Sequence, residues 1–223
     1  SGQAIVADDQ IGLVLSGLQA HGAFPESGHN AGTYLASFLK RVPLALNAKD
    51  FIQYLADKAH LDYKGVKIGV SSHDELMGDL SVNPGIMIFA ENEDSFINLN
   101  IRFPKSTNGK QILSQLNESI KKTDLGEFKS VGFIQEPHYV DQNDPIVKNL
   151  LAVYHDQTGF PAHQMIIGGG TYARLMKRGV AYGALFPDSD DTMHKANEHI
   201  SLNDLKRATS IYAEAIYRLA DLD

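Results

Sequence analysis

The sequence predicts two successive architectures, an α+β segment and then an α/β segment, and three observations support this. In SFINLNIRF, residues 95–103, polar and apolar residues alternate with the period of a half-buried strand. Apolar residues recur at helical spacing on both sides of this run. Beyond Glu136 and Pro137, strand and helix patterns alternate. We therefore predict two helices on a mostly antiparallel sheet over 1–134 and an α/β portion over 135–223.

The elements of the first segment follow from local signals. An apolar run over residues 11–20 predicts a buried strand, and helices are expected from Asn30 to Pro43 and after Asn47. A further helix is expected from Asn108 to about Lys121. The other predicted strands are VKIGVS (66–71), PGIMIFA (84–90), SFINLNIRF (95–103) and EFKSVGFIQ (127–135).

In the second segment, a helix is predicted from Pro145, because proline is favoured at the first helical position. Strands are expected at HQMII (163–167) and VAYGALF (180–186), with a glycine turn and a short helix between them. Ser201 and Asp204 form a capping box that predicts the start of the last helix.

Composition limits the function classes. The net charge of -7 argues against nucleic-acid binding, which depends on basic residues that neutralise phosphates. The apolar runs are too short to span a membrane, so a cytoplasmic protein is expected. Without cysteine, a metal site must use histidine and carboxylates. The chain begins SGQAIVADDQ without methionine, so we expect it to be a piece of a longer protein.

Residues 190–200, DDTMHKANEHI, concentrate side chains that bind metals. On a helix, His194 and Glu198 would share a face, but the cap at Ser201 places this stretch before the last helix. One or two loop histidines remain as candidates, and an ordinary surface loop is the open alternative. The full set of possible ligands is Asp190, Asp191, His194, Glu198 and His199.

Three other stretches carry candidate chemistry. MIIGGGTYARLM, residues 165–176, has the strand, glycine turn and helix start that can receive an anion. It also matches a dinucleotide-binding fingerprint, although the helix is short for that role. In AHGAFPESGHNAG (20–32) a histidine follows a predicted strand, and in NIRFP (100–104) an arginine ends one. By themselves, the last two are typical of a turn and an exposed strand edge.

Taken in order, these segments resemble the M20 family of zinc peptidases, most nearly the peptidase V-type bacterial dipeptidases. The resemblance extends over essentially the whole chain. GGGTYAR and MHKANE are its most specific motifs, and AHGAFPESGHNAG is the next. It implies that residues 1–134 are the second part of a lid domain. Residues 135–223 would then be the C-terminal part of a catalytic α/β domain that carries two zinc ions.

The resemblance also implies roles for individual residues. His194 would bind a zinc ion, His21 would stabilise the oxyanion, and Arg102 would bind the substrate's terminal carboxylate. In such enzymes a metal-activated water attacks the peptide carbonyl. Residues bordering the substrate pocket would be Gly168, Gly169, Gly170, Thr171 and Arg174.

The resemblance places the other metal ligands in an N-terminal half outside these residues, and no adjacent Glu pair occurs here. We therefore predict that this chain alone neither binds zinc tightly nor hydrolyses its expected substrates, dipeptides. Exposed sheet edges favour self-association. The alternatives are a non-catalytic binding or dimerisation module and, less favoured, a nucleotide-binding α/β protein. Dipeptide preference and the physiological metal stay open.

Overall fold

The computed structural model describes residues 1–8, 10–90, 94–183, 185–193 and 196–222. They form two compact units, Ser1–Pro137 and His138–Asp223. The strands are β1 (Gly2–Ala7), β2 (Gln10–Leu15), β3 (His73–Asp74), β4 (Gly78–Asp79), β5 (Ser81–Ile88) and β6 (Phe96–Arg102). The helices are α1 (Ala31–Leu39), α2 (Leu46–Tyr54), α3 (Gly109–Ile120), α4 (Pro145–Thr158) and α5 (Leu202–Ala220). This mixture of helices and antiparallel strand pairs confirms the predicted α+β class.

Four helices begin where their capping residues predict. A side-chain oxygen before each helix accepts a hydrogen bond from a backbone N–H of its first turn, which otherwise has no partner within the helix. The distances are 3.1 Å at Asn30, 2.9 Å at Asn108, 2.9 Å at Asp144 and 3.0 Å at Ser201. The cap at Ser201 also confirms that residues 190–200 precede the last helix rather than belong to it.

The main core of the first unit lies between α3 and one face of the antiparallel pair β5–β6. Val82 of β5 is 1% exposed and packs in a cluster with Ile112 and Leu116 of α3. Asn83 pairs with Asn100 and Ser81 with Arg102, so these side chains share the opposite face. The pair therefore has one apolar face in the core and one polar face.

The hairpin formed by β1 and β2 differs from the prediction of a buried strand at residues 11–20. Only Gln10–Leu15 is a strand, and it pairs antiparallel with β1. Ile11 is 72% exposed and Val14 is 53% exposed. Apolar residues are buried only where another layer packs on them, and within the described residues no layer covers most of this hairpin.

Two further predicted strands of the first unit were wrong. Residues 66–69 form a turn and residues 70–71 are irregular, yet Ile68 and Val70 are each 1% exposed, so the burial of every second residue resembles the pattern of a strand. The Asp62 carboxylate accepts hydrogen bonds from the N–H groups of Lys67 and Ile68 and fixes this turn. Residues 127–135 are irregular as well, and a turn at Gly132, with φ of 73°, interrupts them.

The second unit is built on α4 and α5. Val153 of α4 and Ile211 of α5 are almost fully buried in one cluster with Phe186. The predicted strands at 163–167 and 180–186 were wrong, because the structure has no strand in the described part of this unit. A strand needs a neighbour for its N–H and C=O groups, and these runs have none here. None of the helices in the described ranges is long and apolar enough to span a membrane.

Asn30 should make a measurable contribution to stability, because it joins two elements. Its Oδ1 caps α1, and its Nδ2 donates to the Pro84 carbonyl of β5 at 2.7 Å. We expect Asn30→Ala to lower the free energy of unfolding by about 1–3 kcal/mol, the combined cost of a cap and a partly buried hydrogen bond.

Chemical denaturation of the purified 223-residue chain would measure this effect. Asn30→Asp keeps the capping oxygen and loses only the donor to Pro84, so its loss should be smaller. Equal losses for the two variants would contradict a separate contribution from the cap.

Candidate functional site

The loop that carries His21 is closed at its base by backbone hydrogen bonds. Leu18 and His29 exchange N–H···O bonds of 3.0 and 2.9 Å. Gly28 permits this approach, because an added Cβ would lie 2.6 Å from the Leu18 carbonyl oxygen. Between these ends, the Phe24 N–H donates to the His21 carbonyl at 2.9 Å and closes a turn. The sequence therefore folds locally into a short closed loop with His21 near its start.

The His21 ring is exposed and its orientation is defined. Its Nδ1 accepts a hydrogen bond from the Ala23 N–H at 3.2 Å. In a neutral imidazole the nitrogen that accepts carries no proton, so the proton lies on Nε2. The loop consequently presents an N–H donor to solvent.

Arg102, the last residue of β6, lies next to this loop. A Cβ placed on Gly22 would lie 3.6 Å from the Arg102 Nη2 and 3.8 Å from the Asn83 Nδ2. The residue that follows His21 is therefore within van der Waals range of the guanidinium. The structure thus places the loop that carries His21 next to Arg102 at Gly22, although the two residues are far apart in the sequence.

A cleft of about 390 Å³ opens beside these residues in the first unit. Its walls come from residues 17–20, Pro25, residues 28–32, and four residues of β5. These four are Asn83, Pro84, Gly85 and Met87. A space of this size suits a small ligand rather than a macromolecule.

The predicted glycine turn lies in the second unit and differs from the expected geometry. Gly168, Gly169 and Gly170 are exposed, and no strand precedes them. Thr171 is extended, and a 3₁₀ helix of four residues, Tyr172–Leu175, follows and includes Arg174. The strand, turn and helix that a nucleotide fingerprint requires are not formed among these residues.

A bidentate ion pair connects the segment after this turn to α4. Arg178 Nε and Nη2 donate to the Asp144 carboxylate at 3.0 and 2.9 Å. These hydrogen bonds, together with the Ile146 N–H, hold the pKa of Asp144 below its usual value. The same carboxylate caps α4, so one side chain positions both elements.

His194, the predicted zinc ligand, lies outside the described residues. Around it in the sequence, Thr192 Oγ1 donates to the His199 carbonyl at 3.0 Å and accepts from the His199 N–H at 3.1 Å. Arg207 of α5 contacts two residues that precede the acidic stretch. Its guanidinium carbon lies 3.9 Å from the centre of the Phe186 ring, and its Nη1 donates to the Asp188 carboxylate at 3.0 Å. The described parts of the acidic stretch are therefore tied to each other and to the last helix.

The described residues do not by themselves form a metal site. Within the described ranges, no three His, Asp or Glu side chains are grouped so that they could hold an ion. An H-x-D spacing, whose two side chains are of types that bind metals, occurs once in the sequence, at His60, Leu61 and Asp62. Here it is structural, since Asp62 holds the 66–71 turn and His60 Nδ1 lies 3.2 Å from Thr33 Oγ1. Burial lowers the pKa of His60, and the charges of Lys67 and Lys40 lower it further.

Comparison with known proteins identifies the family. The model of peptidase family M20/M25/M40 matches residues 7–218. The chain belongs to this family. Among its relatives, the Beta-Ala-Xaa dipeptidase of Lactobacillus delbrueckii subsp. lactis is 41% identical over 96% of the chain. YtjP of Bacillus subtilis (strain 168) is 39% identical over 98% of it.

This M20 chain spans less than half the length of these relatives, 45% of the first and 46% of the second. Among solved structures, the M20 family metallo-carboxypeptidase Sso-CP2 of Sulfolobus solfataricus has a similar fold, with a TM-score of 0.50. The match covers 81% of this chain and 44% of that one, at 14% identity. At this identity the likeness concerns the fold alone.

One residue beside Arg102 was missed by the sequence reasoning. Asn83 stands in the otherwise mostly apolar strand β5, opposite Asn100, and its amide is close to Gly22. The signal in the sequence was a polar residue between the apolar residues Val82 and Pro84. Without the strand pairing, nothing in the sequence connected it to Arg102.

Proposed function

We propose that the complete gene product containing these residues is a metal-dependent dipeptidase that hydrolyses short peptides with a free C-terminal carboxylate. The observation that carries the proposal is the approach of the His21 loop to Arg102 through Gly22. The imidazole on this loop and the positive charge of Arg102 then lie beside a cleft of small-ligand size. Family membership and the identity to a Beta-Ala-Xaa dipeptidase support the same activity.

In this proposal Arg102 selects the end of the substrate. A guanidinium can donate two parallel hydrogen bonds to a carboxylate, which fixes both its position and its orientation. A charge bound at one end of the substrate limits how far the scissile bond can lie from the C-terminus. Cleavage near the C-terminus, rather than at internal bonds of a long chain, follows from this restriction.

His21 stabilises the negative charge that develops on the carbonyl oxygen. When water adds to the peptide carbon, the C=O π bond breaks and its electrons move to the oxygen. The Nε2–H of His21 donates to that oxyanion and lowers the barrier. When the tetrahedral intermediate collapses, the C=O bond re-forms, the C–N bond breaks, and the amine leaves with a proton that came from the attacking water.

The metal is proposed to be zinc, with two ions in the complete protein. The described donor set does not fit a metal site. We therefore propose that His194 contributes one ligand and that the others lie outside these 223 residues. Residues 1–134 would act as part of the lid and 135–223 as part of the catalytic domain. The pocket border would include Gly168, Gly169, Gly170, Thr171 and Arg174.

A dipeptide hydrolysis assay on the complete gene product tests this function. We expect hydrolysis that a chelator abolishes and that added Zn²⁺ restores, because the nucleophile depends on a bound metal. The 223-residue chain should be inactive and should bind Zn²⁺ weakly in calorimetry, since it lacks most of the ligands.

Two results would count against the proposal. Activity of the isolated chain would contradict the division of ligands, and an inactive complete product would contradict the dipeptidase function. An inactive product that dimerises in sedimentation experiments would favour the alternative of a dimerisation module. The exposed Ile11 and Val14 of hairpin β1–β2 supply a surface for such an association.

A further inference from the structure

The start of α3 carries the dipeptide Asn108–Gly109, and this pair occurs once in the sequence. Asparagine followed by glycine is chemically unstable, because the glycine nitrogen can attack the asparagine side-chain amide. Without a Cβ, glycine neither hinders this attack nor restricts the backbone rotation that it needs. Asn108 is exposed to water, which the later steps of the reaction consume. The chemical requirements for deamidation therefore meet at this helix start.

The fold nevertheless uses both residues of the pair. Asn108 Oδ1 accepts a hydrogen bond from the Gln111 N–H at 2.9 Å and so caps α3. A Cβ on Gly109 would lie 2.9 Å from Ile134 Cδ1, which is too close for a real side chain. Gly109 is buried for the same reason. The cap and the close packing thus place a reactive pair at the start of the helix that builds the main core of the first unit.

The folded backbone holds the pair in an unreactive geometry. Attack requires the Gly109 nitrogen to rotate until it lies beside Cγ, the side-chain carbonyl carbon of Asn108. The ψ angle of Asn108 is 160°, which keeps the nitrogen turned away from that carbon. The hydrogen bond from the Gln111 N–H fixes the side chain as well. Deamidation therefore requires a local opening of the helix start.

Glu136 keeps the attacking nitrogen in its protonated form. The Gly109 N–H donates to Glu136 Oε1 at 3.2 Å. The nitrogen attacks only after it has lost this proton, and the charge of the carboxylate opposes a second negative charge beside it. The hydrogen bond also fixes the peptide group that would have to rotate. Glu136 thus acts against deamidation in two ways.

We propose that Asn108 is a site of spontaneous modification to aspartate and isoaspartate, and that Glu136 restrains this modification in the folded chain. The deprotonated Gly109 nitrogen forms a bond to Asn108 Cγ, the Cγ–Nδ2 bond breaks, and Nδ2 takes a proton from water and leaves as ammonia. Water then adds to either carbonyl of the cyclic imide. The C–N bond at that carbonyl breaks, and the freed nitrogen takes a proton. One break gives aspartate, and the other gives isoaspartate.

The two products affect α3 differently. Aspartate keeps a capping oxygen but adds a negative charge near the carboxylate of Glu136. Isoaspartate carries the backbone through its side chain, so its remaining carboxylate no longer has the position of the cap relative to the Gln111 N–H. Because α3 supplies Ile112 and Leu116 to the main core, isoaspartate should lower the stability of the first unit.

Timed incubation of the 223-residue chain at mildly alkaline pH tests the proposal. Mass spectrometry of proteolytic peptides would follow the Asn108 amide, and methylation by an isoaspartyl methyltransferase would measure isoaspartate. Loss of the amide should be roughly tenfold faster or more in denaturant than in buffer, because the opening step is then removed. In buffer, Glu136→Ala should accelerate it about threefold to tenfold, since a hydrogen bond to a charged group is lost. Glu136→Gln keeps an acceptor without the charge, so its acceleration should be smaller.

Asn30 is the matched control within the same chain. It caps α1 as Asn108 caps α3, but Ala31 rather than glycine follows it. Its amide should be lost much more slowly, in buffer and in denaturant. Asn108→Ser keeps the cap and removes the amide, so it should form no isoaspartate at this position. Its melting temperature should stay constant during incubation, whereas that of the wild type should fall.

The outcomes test the reactivity and the restraint separately. Equal rates of amide loss at Asn108 and Asn30 in denaturant would overturn the assignment of the modification site. Equal rates for the wild type and a folded Glu136→Ala variant would overturn the restraint by Glu136. If Glu136→Ala does not fold, the same comparison with Glu136→Gln decides. No enzymatic activity enters these measurements, so they do not depend on the proposed function.

Discussion

Replacing Arg102 with alanine in the complete gene product should raise KM for free-carboxylate dipeptides by about a hundredfold. The physical reason is the loss of two charge-assisted hydrogen bonds, which are about twice as strong as neutral ones. The effect should be specific to the carboxylate, because Arg102 has no proposed contact with the reacting carbonyl. Steady-state kinetics with a dipeptide and with its C-terminal amide would measure this difference.

Two variants complete this experiment. Arg102→Lys retains the charge but not the planar fork, so KM should recover only part of the loss. Arg41→Ala removes an exposed arginine of the same unit that has no proposed role, and it should behave as the wild type. Equal losses of Arg102→Ala on the acid and the amide substrates would refute the carboxylate contact.

Replacing His21 with alanine should lower kcat by about a hundredfold to a thousandfold, the usual loss for one oxyanion donor. KM should change little, because the charge that His21 stabilises exists only near the transition state. The ring is exposed and its single described hydrogen bond is to the nearby Ala23 N–H, so the folded structure should tolerate the change. The measurement is kcat and KM with a saturating series of one dipeptide.

The control for His21 is another exposed histidine of the same unit. His73 lies 2.6 Å from Asp79 on the short β3–β4 pair, and His73→Ala should leave kcat unchanged. A fall in KM that matches the fall in kcat for His21→Ala would leave kcat/KM unchanged and would contradict the proposed role, since it would indicate that His21 strains the bound substrate rather than stabilises the transition state.

The helices could be predicted from the sequence because their signals are local. Asn30, Asn108 and Ser201 each cap a first turn only three residues ahead, and no distant contact is needed for that bond. The apolar periodicity inside each helix then predicts which face is buried. These signals predicted the correct starts of helices α1, α3 and α5.

The strands were harder to predict because a strand exists only when it is paired. Residues 66–71 have the alternating apolar pattern of a strand. Ile68 and Val70 are indeed buried, but the Asp62 carboxylate holds this segment in a turn rather than in a strand. Residues 163–167 and 180–186 have the apolar composition of strands but no neighbour in the described chain. Composition alone cannot supply the missing partner.

The sequence by itself determined the side chains available for chemistry, the starts of four helices and, through the motifs GGGTYAR, MHKANE and AHGAFPESGHNAG, the family. Only the tertiary structure decided that the residue after His21 approaches Arg102 and that Asn83 joins them. The physical reason is the register of β5 and β6, which pairs Asn83 with Asn100 and turns their side chains to the face of Arg102. Such a register depends on contacts between distant residues, and no local pattern specifies it.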